Sequence, residues 1–152
     1  TVRDVINKLE EKNYTFDFLL LLEPTSPLRN CQDIKNVISE LNNGFDSVAT
    51  FTHARLNPHR AWKINKGVPS TFIPDANPWL PRQKLPEACE LNGAVYGINL
   101  SRFREHKGTA LLFGKMKAVL MPENRSVDID NLQDLEIVED IMKREKGENE
   151  YC

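Results

Sequence analysis

The residues in this chain whose type and spacing could do chemistry are a pair of carboxylates and a few arginines. Asp128 and Asp130 stand two apart in "SVDIDN". In an extended segment such residues point to one face. The pair would then offer convergent hard oxygen donors, of which Mg²⁺ takes one or two beside its waters. A plainer use is open as well: Asp130 with Gln133 reads as a capping box for the next helix, and Asp128 as a solvated loop residue. Arg82, in "LPRQKLP", sits between prolines that stiffen the backbone and could hold its guanidinium for bidentate contact with a phosphate. It reads equally well as a surface arginine. Arg60, in "PHRAW", has the same two readings, and stacking on Trp62 or Trp79 would be a structural use for it. Arg29 ends "EPTSPLR", where pinning a loop explains it better than catalysis. The hydroxyls of that string suit the satisfaction of loop backbone. His53, His59 and His106 have no partners at a useful spacing. The sequence contains no Walker loop, GxGxxG, GxSxG elbow or Ser–His–Asp order.

Those side chains need elements to position them. Val2, Val5, Ile6 and Leu9 fall at helical spacing over residues 2–12. Residues 16–22, ending in "FLLLL", read as a strand buried on both faces, as in a parallel sheet. Asn30 caps a helix over 31–42 with a stripe of Ile34, Val37, Ile38 and Leu41, and Gly44 follows its end. A strand at 46–51 completes a βαβ rhythm. Residues 55–87 break it, with both tryptophans and six of the nine prolines. Lys66-Gly67 could turn a hairpin there, and such an insertion suits a lid or a subunit contact. A strand at 92–99, a short helix at 100–107, a strand at 117–121 and an amphipathic helix over 131–146 follow. The stripe of that last helix is Leu132, Leu135, Ile137, Val138, Ile141 and Met142. In an open α/β sheet ligands bind beyond the carboxyl ends of the strands. Three polar clusters fall at such ends: "EPTSPLR", "PRQK" with "NGAVY", and "DID".

The totals fit one domain able to bury a core without disulfide or metal: 152 residues, 40% apolar and 28% charged. A formal charge of −2 gives no basic excess and predicts no nucleic-acid partner. The longest apolar run, Phe18 to Leu22, is too short to span a bilayer, and the opening residues do not form a signal peptide. Cys31, Cys89 and Cys152 lie far apart without CxxC spacing, which predicts reduced thiols in a cytoplasmic protein.

Taken in order, "LLLLEPTSPLR", "DSVAT", "PRQKLPEACELNGAVY" and "SVDIDNLQDLEIVE" resemble the acylneuraminate cytidylyltransferases, the CMP-sialic acid synthetase family, over nearly the whole chain. The resemblance implies a three-layer αβα nucleotidyltransferase fold with a mostly parallel sheet. It implies transfer of CMP from CTP to a nine-carbon acidic sugar, release of pyrophosphate, a requirement for Mg²⁺, and a homodimer in which the 55–87 insertion packs on the partner. Carried over by position, Asp128 and Asp130 match the metal-binding aspartates and Arg82 the arginine that faces the triphosphate. Arg60 falls at a basic position for the phosphates. Asn92 and Tyr96 match residues of the sugar and nucleotide pocket. Leu111 and Leu112 fall near the patch for the sugar's acyl group, and Thr1 near a hydroxyl that touches the nucleotide.

Three departures stand out. Glu23 occupies a position where many members carry Gln, and Glu90 one where some carry Arg; both bear on which sugar is accepted. The family's opening strand and its ARxGSKG-type loop are not in this sequence. The chain is thus expected to be the C-terminal two-thirds of such a domain and catalytically incomplete by itself. Legionaminic, pseudaminic and 3-deoxy-octulosonic acids are alternative acceptors. A non-catalytic remnant that binds a partner is the alternative of another class.

Overall fold

The chain is described by a computed structural model covering residues 1–149; the thiol expectation for Cys152 lies outside the described residues. Helix α1 (Val2–Glu10) leads into strand β1 (Phe18–Leu21), and helix α2 (Cys31–Asn42) into strand β2 (Ser47–His53). A hairpin of β3 (Trp62–Asn65) and β4 (Val68–Thr71) follows. The chain then forms the long strand β5 (Cys89–Asn99), helix α3 (Leu100–Glu105), strand β6 (Met116–Leu120) and helix α4 (Leu132–Asn149).

The local chemistry explains these elements. Asn30 accepts from the backbone N–H of Gln32 and Asp33, while Asp33 accepts from the N–H of Asn30, a reciprocal box that starts α2 where the sequence predicts. Lys66 (φ 48°) and Gly67 (φ 83°) both take the left-handed conformation that a two-residue hairpin turn requires. β3 and β4 pair in register from Trp62–Thr71 to Asn65–Val68.

The main sheet has the order β1-β5-β2-β6. β5 runs antiparallel to both of its neighbours, and only β2 and β6 pair in parallel. The mostly parallel sheet that was expected is therefore a mixed one. The reason is the insertion. It leaves the end of β2 and returns beside it, Ala54 N–H bonding Ala88 O at 2.9 Å, so β5 must run back along β2. β1, expected to be buried on both faces, is packed on both but less deeply: it lies at an edge of this sheet, and each of its four residues is half-buried.

Two apolar clusters hold the sheet. Val37 and Leu41 of α2 pack with Val48, Ala94, Val95, Val119 and Met121, and with Leu20 of β1. Ile6 of α1 packs with Ile98, Leu100, Phe103 and Phe113, and with Leu19. Leu19 and Leu20 thus serve opposite faces, as neighbours on a strand must. Gly97 allows α2 to approach: a Cβ there would stand 2.5 Å from Val37 Cγ1. The stripe of α4 differs from expectation. Val138 is buried, but Leu132, Leu135, Ile137 and Met142 remain exposed. Among the described residues no helix is long and apolar enough to cross a membrane.

Candidate functional site

The polar residues gather where β1 and β2 end and β5 begins. After β1 the chain folds into a knot, and Arg29 is its pin: Nη1 donates to the carbonyls of Glu23 and Ser26, each at 2.7 Å. Buried Ser26 donates to the Asn92 carbonyl at 2.9 Å and lies 3.4 Å from Asp128 Oδ1. The Ile129 N–H reaches the Thr25 carbonyl at 2.9 Å. Gly93 sits in the left-handed region (φ 70°), and a Cβ there would stand 2.8 Å from Glu23 Oε2. The knot, the start of β5 and the aspartate segment therefore meet at one point. Glu23 is half-buried there, and no protein donor bonds its carboxylate among the described residues. Tyr96 is also half-buried. Burial first, then the charges of Glu23 and Asp128, push its phenol above the ordinary value of 10.0, so it remains a hydrogen-bond donor at neutral pH.

The aspartate segment is anchored on both sides. A single 3-10 turn (Glu123–Arg125) precedes it, and Arg125 forms an ion pair with buried Asp33 at the start of α2. Ser126 accepts from Asn92 Nδ2 at 3.0 Å and donates to the Pro122 carbonyl at 2.9 Å. Asn92 is itself buried. Its amide oxygen accepts from Thr50 Oγ1 at 2.7 Å and from the Ala94 N–H at 3.3 Å. Its side chain is thus committed to internal bonds. On the far side, Asn131 caps α4 through the N–H of Gln133 and Asp134, and Asp134 accepts from the N–H of Asn131. The capping box is therefore Asn131 with Asp134, which leaves the Asp130 carboxylate out of it.

Two clefts adjoin this point. One, of about 300 Å³, is lined by Asp128, Asp130, Asp134 and Glu90, with Thr52, Asn92 and Ser126. The other, of about 430 Å³, lies at the base of the insertion and holds Arg60 and Arg82. Arg55 lines both clefts. Arg60 donates through Nη2 to the Leu80 carbonyl at 2.9 Å. The two tryptophans pack edge-on against each other with centroids 6.4 Å apart, and neither stacks on Arg60.

The structure thus brings Asn92, Asp128 and Asp130 to one cleft and sets Arg60 and Arg82 in the neighbouring one; Glu23 and Tyr96 lie near each other and near Asp128 but line neither cleft. Leu111 and Leu112 are not among them. Leu111 packs with the Phe103–Phe113 cluster, at the end of the sheet where β2 begins. Thr1 caps α1 in a reciprocal box with Asp4 and lines neither cleft. Arg55 and Asp134 were not singled out in the sequence. Extending β2 to His53 would have put Arg55 at a strand's carboxyl end, the position from which ligand-facing residues come.

Among the described residues, no three or more His, Cys, Asp or Glu groups are placed to hold an ion. Two aspartates lining one cleft fit a cation that takes one or two carboxylates and completes its shell with water and phosphate oxygens, which is the habit of Mg²⁺.

No protein-family model matches the chain. It is 26% identical over 151 residues to the post-translational flagellin modification protein B of Campylobacter coli. The match takes in 93% of this chain and 60% of that relative's length.

Proposed function

We propose that the chain is the larger part of a nucleotidyltransferase that moves CMP from CTP to a sialic-acid-like nine-carbon sugar and releases pyrophosphate. One observation carries this reading: an acidic cleft holding Asp128 and Asp130 opens beside a basic cleft holding Arg60 and Arg82, where β2 ends and β5 begins. A polyphosphate with a bound cation needs that pairing of charges. The cytosine base and the acidic sugar come from the family resemblance, as does the layered nucleotidyltransferase fold, with which the mixed sheet and its flanking helices agree. A relative named for post-translational modification of flagellin accords with it where the modifying group is a sugar, since such groups are transferred from nucleotide-activated donors.

Asp128 and Asp130 would hold Mg²⁺, which when bound neutralises phosphate charge and lowers the pKa of a coordinated hydroxyl. The remaining tasks fall to side chains. Arg60 and Arg82 stabilise charge gathering on the departing pyrophosphate. The Tyr96 hydroxyl donates to an acceptor-sugar oxygen. Glu23 accepts from a sugar hydroxyl or amide N–H, and its charge is the contact most able to set which sugar fits. Asn92 acts by fixing the backbone that Gly93 and Tyr96 share. The homodimer contact comes from the family resemblance, and the exposed apolar residues on and beside the hairpin, Trp62, Ile64, Val68 and Trp79, suit such a contact.

Calorimetric titration of CTP with Mg²⁺ into the chain tests the reading. Binding is expected for the wild type and a loss of about tenfold or more for Asp128→Ala. No uptake by either protein would refute the assignment and favour a non-catalytic binding module. A panel of nine-carbon sugars, offered to the protein with its upstream residues, would then identify the acceptor by pyrophosphate release.

A further inference from the structure

We infer that Arg55, which neither motif nor resemblance picks out, is a phosphate-binding residue at the seam between the two clefts. The inference rests on the phosphate reading above and adds a residue to it.

Among the described residues, Arg55 is the one that lines both clefts. In the acidic cleft it is the one cationic side chain among the described lining residues, which include four carboxylates: Glu90, Asp128, Asp130 and Asp134. In the basic cleft it joins Arg60 and Arg82. Its guanidinium nevertheless forms no ion pair with any of those carboxylates, and no hydrogen bond, among the described residues. An arginine whose charge is not used by the fold, in a cleft rich in carboxylates, is available for an anion from outside.

Its backbone is also held. Ala54, just before it, bonds through its N–H to the Ala88 carbonyl, and the Arg55 N–H points to Glu90 Oε1 at 3.4 Å. The segment thus continues the β2–β5 ladder one residue past His53. The guanidinium hangs from a fixed point and loses less freedom on binding than one on a free loop. Among these residues an anion lying on the seam has one cation it can meet from either side. A polyphosphate that reaches from the aspartates towards Arg60 and Arg82 must cross that seam. An arginine there gives two parallel N–H donors to one phosphate group.

The probe is inorganic tripolyphosphate with Mg²⁺, titrated calorimetrically at fixed ionic strength into the chain. The variants are Arg55→Ala, Arg55→Lys, Arg82→Ala and, as a charge control on exposed α2, Lys35→Ala. Circular dichroism confirms that each variant is folded. Arg55→Ala is expected to weaken binding by about tenfold or more, and Arg55→Lys to recover part of that loss, because lysine keeps the charge without the fork. Lys35→Ala should stay within about twofold of the wild type. Loss in Arg82→Ala with none in Arg55→Ala would overturn the assignment of Arg55 and leave the phosphate site standing. Equal losses in Arg55→Ala and Lys35→Ala would overturn it too, since the effect would then be one of net charge. A wild-type chain that takes up no tripolyphosphate would refute the phosphate site itself, and Arg55 with it.

Discussion

Arg125→Ala should cost more stability than its position on a surface turn suggests. Arg125 is the partner of Asp33, a carboxylate whose side chain is only 4% exposed. Asp33 also accepts the N–H of Asn30 at 2.8 Å, so one backbone bond survives the substitution while a buried charge loses its counter-ion. Breaking a buried pair from one side costs about 3–5 kcal/mol. The Arg125 side chain is 22% exposed, so water reaches the pair and lowers the cost below that range, to roughly 2–3 kcal/mol. For a chain of this length each kcal/mol moves the melting temperature by about 2–4 °C, which gives a fall of about 4–12 °C. Urea unfolding should be followed by far-ultraviolet circular dichroism, because both tryptophans lie in the insertion and their fluorescence would report on it. The expected result is a lower midpoint at unchanged slope. Asp33→Asn with Arg125→Met, which removes both charges, should lose less than Arg125→Ala alone. A loss below about 0.5 kcal/mol for Arg125→Ala would refute the reasoning, since that is the scale of an ordinary exposed pair.

Two further outcomes follow from features already described. Ile64, 75% exposed on β3, sits on the face assigned to a second copy; Ile64→Glu should turn a dimer into a monomer in sedimentation velocity, and a wild-type chain that is monomeric at all concentrations would sink that assignment. The Tyr96 phenol should ionise above 10.0 in a spectrophotometric titration compared with Tyr96→Phe, and Glu23→Gln should bring it down part of the way. The sign is that of a group raised on folding: its contribution to stability is intact below pH 10 and lost as pH climbs through the raised value. A Tyr96 titration unaffected by Glu23→Gln would show that the carboxylate does not act on the phenol.

Where a signal was local, the sequence was a good guide. Asn30 with Asp33 three residues on, and Lys66-Gly67 between apolar pairs, determine a helix start and a hairpin turn through contacts within a few residues. The convergence of Glu23, Tyr96 and Asp128 was also within reach, because strand ends in an α/β sheet collect polar residues on one side. What escaped was set by pairing at long range. "FLLLL" has the composition of a strand buried on both faces, and Leu19 and Leu20 do pack on opposite faces, yet β1 is only half-buried and pairs antiparallel with β5 alone, because neighbours are chosen by the whole sheet and not by the strand. The stripe of α4 has helical period, but period does not supply the surface that would cover it. Leu111 and Leu112 carry no local signal beyond the family resemblance, and Leu111 packs at the far end of the sheet. Arg55 carries no motif, and its meaning arises only from the two clefts it divides.

The bond from Ala54 to Ala88 has a consequence for how this chain can vary. It fastens the two ends of the insertion together, so everything between them forms a closed loop. The entropy of closing such a loop grows only with the logarithm of its length, about 0.6 kcal/mol for each doubling. Residues can therefore be added or removed at the hairpin tip at small thermodynamic cost and with no shift in the β2–β5 register. Arg60 and Arg82 each lie six residues from the fastened ends, one on each arm. They belong to the part of the loop that such changes leave in place. The arms and the tip can thus diverge separately, one under the demands of an anion and the other under those of a neighbouring surface.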